Sequence, residues 1–144
     1  MVKNKQTKIP TKTKILDAAL TLFNEHGCGS ISTNHIAKEC GISAGNLYFH
    51  YANKSEIIRA LYEKMLTDWD EMQAKIQMDG DVMSYIKGLL ALAANHYYEY
   101  RFIHRELVTL CMDDEALDVR NKEVIARRKK ENTMILSMLV TRKY

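Results

Sequence analysis

Apolar residues recur after Pro10 at Ile15, Ala18, Ala19, Leu22 and Phe23, one face at 3.6 residues per turn. This spacing predicts a helix over about 11–26, with Thr11 as its cap and Gly27 where a left-handed C-cap is wanted. A segment of about two turns follows. Ser32 or Thr33 opens it, Ile36, Ala37 and Cys40 face inward, and Gly41 ends it. Ser43 can cap again, and Ala44 to Tyr48 make a second very short helix. Two short helices joined by a tight turn containing glycine form a helix-turn-helix, whose second helix enters the major groove of DNA.

Asn53 with Glu56 three residues later has the form of a capping box. Ile58, Leu61, Met65, Trp69, Met72 and Ile76 then continue one stripe, predicting a helix over about 54–77 that Asp79-Gly80-Asp81 breaks. Val82, Ile86, Leu89, Leu90, Ala93 and Tyr97 mark a fifth helix over about 82–100. A sixth begins near Phe102 and carries Ile103, Leu107, Leu110 and Cys111. The acidic stretch Asp113 to Glu115 separates a seventh, about 116–140, with Leu117, Val124, Ile135 and Met138 turned inward. No segment alternates long enough to compete as a strand. The expected fold class is all-α.

Composition narrows the function classes. The chain has 144 residues, 47% hydrophobic and 27% charged, a globular balance that argues against wholesale disorder. Its longest apolar stretches, such as Leu89 to Ala94, fall far short of the roughly 20 residues a membrane span needs. Met1 to Lys8 is basic without an apolar signal core, and Cys28, Cys40 and Cys111 are odd in number and scattered. Both features predict a cytoplasmic protein. CxxC, HExxH, GxxxxGK[ST] and GxSxG motifs are missing from the sequence. The spacings His96/His104 and His35/Cys40 make no believable metal site. The chain therefore reads as a non-enzyme with no cofactor and no metal. Charge is uneven: residues 1–55 hold seven lysines against three acids, a balance of +4, whereas 56–144 hold 14 basic and 15 acidic groups. A polyanion partner is expected for the first part alone. The run Arg127-Arg128-Lys129-Lys130, flanked by Glu123 and Glu131, reads as a solvated helix face.

Ser43, Ala44, Gly45 and Asn46 open the second short helix, where the first turn meets base edges. Asn46 suits a bidentate contact to adenine, with a plain local cap as the competing reading; Gly45 lets backbone approach, and Ala44 suits a thymine methyl. Thr33 offers a hydroxyl at the start of its helix, and Lys54 adds charge to another helix start; both suit phosphate. For Lys54 the plainer reading is a solvated lysine, and for Lys3, Lys5 and Lys8 an unengaged tail. Leu47, Ile42, Ile36, Phe23 and Tyr51 read as core.

The stretch ISTNHIAKECGISAGNLYFHYANK, Ile31 to Lys54, resembles the DNA-binding domain of the TetR family of bacterial transcriptional regulators. The resemblance rests on the Ser/Thr pair before Ile36-Ala37, on Gly41-Ile42-Ser43, on Gly45-Asn46-Leu47-Tyr48, on His50-Tyr51 and on Asn53-Lys54. It covers about 11–60; beyond, only helix order and lengths match. Tyr51 stands where the family more often has Phe, and the chain stops after seven helices where members usually continue through two more that form the dimer interface. The resemblance implies that Tyr48 and His50 reach the phosphate backbone. It also implies a helix-turn-helix DNA-binding domain over 1–55 and a helical effector-binding and dimerisation domain over 56–144. Met65, Trp69, Met72, His96, Tyr97, Tyr100 and His104 are the expected lining of a mostly apolar effector pocket, with ordinary core as the competing reading. The expected function is a ligand-responsive regulator, with repression the expected sign. It would bind double-stranded DNA at a near-palindromic operator as a homodimer. The alternative is a helical interaction protein whose helix-turn-helix no longer binds an operator.

Overall fold

The computed structural model describes residues 9–75 and 82–141, with side chains at 82 and 138–141 outside that description. Every element in the described residues is a helix: α1 (Thr11–His26), α2 (Thr33–Glu39), α3 (Ala44–His50), α4 (Lys54–Ala74), α5 (Val82–Glu99), α6 (Arg101–Asp113) and α7 (Glu115–Thr141). The expected all-α class holds. The lysines at 3, 5 and 8, Ile76 and Asp79-Gly80-Asp81 lie outside the described residues, as do the side chains of Val82 and Met138. Among the described residues no helix is long and apolar enough to cross a membrane.

The chain divides into two compact units. The first runs up to Leu66 and includes Tyr100–Phe102. Its core takes Ile15, Ala19 and Phe23 from α1, Ile36 and Ala37 from α2, Leu47 from α3, and Tyr51. Ile57, Ile58, Leu61, Tyr62, Met65 and Leu66 of α4 are buried in the same unit. The division therefore falls inside α4 and not at the expected 55/56. The reason is packing: the first three turns of α4 supply apolar surface that three short helices lack on their own.

Local chemistry explains the ends of these helices. Pro10, not Thr11, is the N-cap of α1; its carbonyl accepts the Lys14 N–H at 3.1 Å, and its own missing N–H is no loss at a helix start. Gly27 has φ 78°, and its N–H reaches the Phe23 carbonyl at 2.9 Å. Ser32 caps α2 in a reciprocal pair: its hydroxyl accepts the His35 N–H, and His35 Nδ1 accepts the Ser32 N–H. Asn24 Oδ1 accepts the buried Phe102 N–H at 3.0 Å, satisfying a first-turn donor of α6. Beside it the Phe23 and Phe102 rings pack with centroids 5.2 Å apart.

The second unit holds α4 from Thr67, α5, α6 from Ile103, and α7. Leu117 and Val124 are buried as expected, and Ile135 is half-buried. Asp114 caps α7 by accepting the Leu117 N–H at 3.2 Å. The expected inner face of α5 is only partly covered: Leu89 and Ala93 are half-buried, Ile86, Leu90 and Tyr97 are exposed, and His96 is buried, its ring meeting Trp69 edge to face at 5.4 Å. Of the basic run, Arg127, Lys129 and Lys130 are exposed as expected, and Arg128 departs from a solvated face. Arg127 and Arg128 both pair with Asp70 and with Glu131, and the Arg128 side chain is only 22% exposed. The partner Asp70 sits on another helix, so the spacing of charges along α7 could not indicate it.

Candidate nucleic-acid interface

The α2–α3 turn is set by Gly41, at φ 66°, and by the Ile42 N–H reaching back to the Ala37 carbonyl at 3.0 Å. Leu47 is fully buried and docks α3 by a single apolar plug. Ser43 caps α3 by accepting the Asn46 N–H at 3.2 Å. The cap role thus falls to Ser43, and the Asn46 carboxamide stays exposed beside Ala44 and Gly45. Ile42 is half-buried.

A groove of about 390 Å³ lies beside this helix, lined by Gly29 to Thr33, Tyr48 and Ala52 to Lys54. Across it Thr33 Oγ1 and the Tyr48 hydroxyl share a hydrogen bond of 2.9 Å. Lys54 Nζ donates to the Cys28 carbonyl at 2.7 Å and to the Ile31 carbonyl at 3.1 Å. An ammonium has three donors, so one remains for an anion in the groove. Lys54 is therefore neither a freely solvated lysine nor simply a charge on a helix end: it holds the α1–α2 loop. Asn53 caps α4 by accepting the Glu56 N–H at 2.9 Å, while Glu56 Oε2 accepts from the Ala52 N–H at 2.7 Å. The expected Asn53 cap is present, and only the return bond of the box differs, the Glu56 carboxylate accepting from Ala52 and not from Asn53. His50 is half-buried at the end of α3, outside the groove lining, with its ring edge-on to Phe49 at 5.2 Å.

Phe49 is a residue the sequence reading missed. A helix ending at Tyr48 gives Phe49 no face. Helix α3 continues to His50 and leaves the Phe49 ring 83% exposed. Its position two residues after the buried Leu47 is the signal that finds it.

The second unit carries a cleft of about 720 Å³, lined among others by Trp69, Asp70, Leu89, Leu90, Arg128 and Ile135. Of the residues expected to line an effector pocket, Trp69 lines this cleft. Met65 and Tyr100 are buried in the first unit, where the Tyr100 hydroxyl accepts from Lys64 Nζ at 3.2 Å. Met72 is half-buried, His96 backs the Trp69 ring, and Tyr97 stacks on His104 at 4.4 Å. On α4 the cleft opens on the face of Trp69, Asp70, Gln73 and Ala74. His104 is exposed, and partial desolvation together with the neighbouring His96 lowers its pKa.

Residues 15–61 match the model of the bacterial regulatory proteins of the tetR family. Over 143 residues the chain is 32% identical to the HTH-type transcriptional regulator UidR of Escherichia coli K12, covering 99% of this chain and 69% of that protein. The chain belongs to the TetR family. A TetR-family transcriptional regulator from Marinobacter aquaeolei VT8 shares its fold with a TM-score of 0.75 at 34% identity, over 83% of this chain and 59% of that one. A shorter match, 44% identical over 52 residues, is to the negative regulator IcaR of the biofilm operon icaADBC in Staphylococcus epidermidis, covering 36% of this chain and 28% of that protein. The helix-turn-helix of this TetR-family chain is α2–turn–α3.

Proposed function

We propose that the chain is a ligand-responsive transcriptional repressor that binds a near-palindromic operator as a homodimer, in the cytoplasm. The observation that carries this reading is the groove in which Thr33, Tyr48 and Lys54 converge, beside an exposed first turn of α3. Hydroxyls and an ammonium along one edge suit phosphate oxygens, and small exposed groups beside them suit base edges. In this reading Thr33, Tyr48, His50 and Lys54 hold the backbone, while Ser43 presets α3. Ala44, Gly45 and Asn46 meet the bases. So few contacts favour two copies on a symmetric site. The negative sign is supported by the name of IcaR.

The effector site in this reading is the cleft bearing Trp69, with Asp70 and Arg128 as polar handles for a largely apolar molecule. Helix α4 carries both Lys54 and Trp69. A ligand that prefers one setting of α4 changes DNA affinity, and the coupling is reciprocal. Selection of bound fragments from random duplex DNA tests the reading, followed by a screen for small molecules that release them. A pseudo-symmetric consensus and binding that weakens steeply with salt are expected. Binding to every duplex alike, or to none, overturns it.

A further inference from the structure

We infer that Phe49 reads the 5-methyl group of a thymine in the major groove, as a specificity-determining contact of α3. This rests on the operator-binding reading above and deepens it.

The argument starts from helix geometry. At about 100° per residue, Gly45 and Phe49 both lie on the side of α3 opposite Leu47, and as residues four apart they are neighbours on that face. Leu47 is fully buried, so the face of Gly45 and Phe49 is the one turned farthest from the core. Exposure agrees, with the Phe49 ring 83% accessible. At Gly45 an added Cβ would meet nothing nearer than Ser43 Oγ at 4.0 Å. The helix therefore presents bare backbone at one turn and a projecting ring at the next. The ring is also braced: His50 lies against it in an edge-on arrangement, with an interplanar angle of 83°. Bracing lowers the freedom that a contact would otherwise remove.

The chemistry of the ring selects its target. A phenyl group has no donor or acceptor, so it desolvates a polar base edge without replacing the lost hydrogen bond. The apolar group that bases offer in the major groove is the thymine methyl. Burying one methyl is worth about three- to five-fold in affinity. Tyr48, the preceding residue, is directed into the groove instead, where its hydroxyl is bonded to Thr33.

The experiment uses the full chain and the operator selected as above, with each thymine replaced in turn by deoxyuridine, which lacks only the methyl. At one thymine and its symmetric mate, wild type is expected to lose about three- to five-fold per methyl. Phe49→Ala should bind more weakly and lose nothing further on that replacement, whereas Phe49→Leu should retain part of the methyl sensitivity. Thermal unfolding of both variants should match wild type, because the ring is exposed. The inference is overturned if wild type ignores every replacement. It also falls if Phe49→Ala stays as sensitive as wild type at the same thymine, which assigns the methyl to Ala44. Selective operator binding without methyl dependence removes this inference alone; absence of selective binding removes the operator reading as well.

Discussion

The Tyr51 hydroxyl is buried and has no hydrogen-bond partner among the described residues, while Lys12 Nζ sits 5.4 Å from the ring centroid. Burial also raises its pKa. An unpaired buried hydroxyl costs about 1–2 kcal/mol. Tyr51→Phe is therefore expected to stabilise the chain by about that amount, read as a rise of a few degrees in Tm. An unchanged or lower Tm would mean that the hydroxyl is satisfied. Lys54 calls for a two-part measurement. Lys54→Ala should weaken binding on operator and random DNA alike, lower the salt slope by about one unit, and cost about 1–2 kcal/mol through the deserted Cys28 and Ile31 carbonyls. Lys54→Gln can donate to a carbonyl but carries no charge, so it should recover stability and not the slope. Recovery of both by Gln would remove the charge from the account. Asn46→Ala should instead relax preference at one base pair, as read from the selected consensus. The position of Asn46 was legible in the sequence because caps act within three residues. The partners of Lys54 were not, since they lie 26 and 23 residues away.

At the scale of elements, the first unit was readable because period and punctuation agree. Ile15, Ala19 and Phe23 repeat every four residues, Ser32 and Ser43 cap, and Gly41 takes the positive φ that ends α2. Helix ends were less certain: α3 runs to His50 because the Tyr51 N–H still finds the Leu47 carbonyl at 3.0 Å. The bond from Asn24 to the first turn of α6 was invisible to spacing, since it joins residues 78 apart. Asn24→Ala leaves that buried N–H unpaired and should destabilise by about 1–2 kcal/mol in denaturant unfolding. A change under about 0.3 kcal/mol would show that the cap is dispensable.

At the scale of the whole chain, a small pH dependence is expected from His104, an exposed ring stacked on Tyr97. Its folded pKa lies below the ordinary value near 6.5, so the unfolded chain binds a proton more readily as pH falls. This contribution is complete above about pH 6.5 and is lost as pH drops through the interval down to the folded pKa. Tm should therefore fall as pH is lowered from 7 toward 5, and His104→Gln should flatten the decline. An identical slope in the variant would assign the effect to other groups. Two copies on a symmetric operator are expected as well, and sedimentation at several concentrations with and without operator measures the stoichiometry.

The sequence by itself determined the helical class, the helix-turn-helix and its caps, and the residues of the α3 first turn. Those follow from forces that act within four residues: periodic burial, cap hydrogen bonds and the conformational freedom of glycine. Tertiary structure alone decided that Lys54 ties a loop, that Arg128 meets Asp70 at a separation of 58 residues, and that the cleft takes Trp69 but not Tyr97 or Tyr100. The physical reason is rotational phase. Which face of one helix meets another depends on packing among segments far apart in the chain, and no local pattern records it.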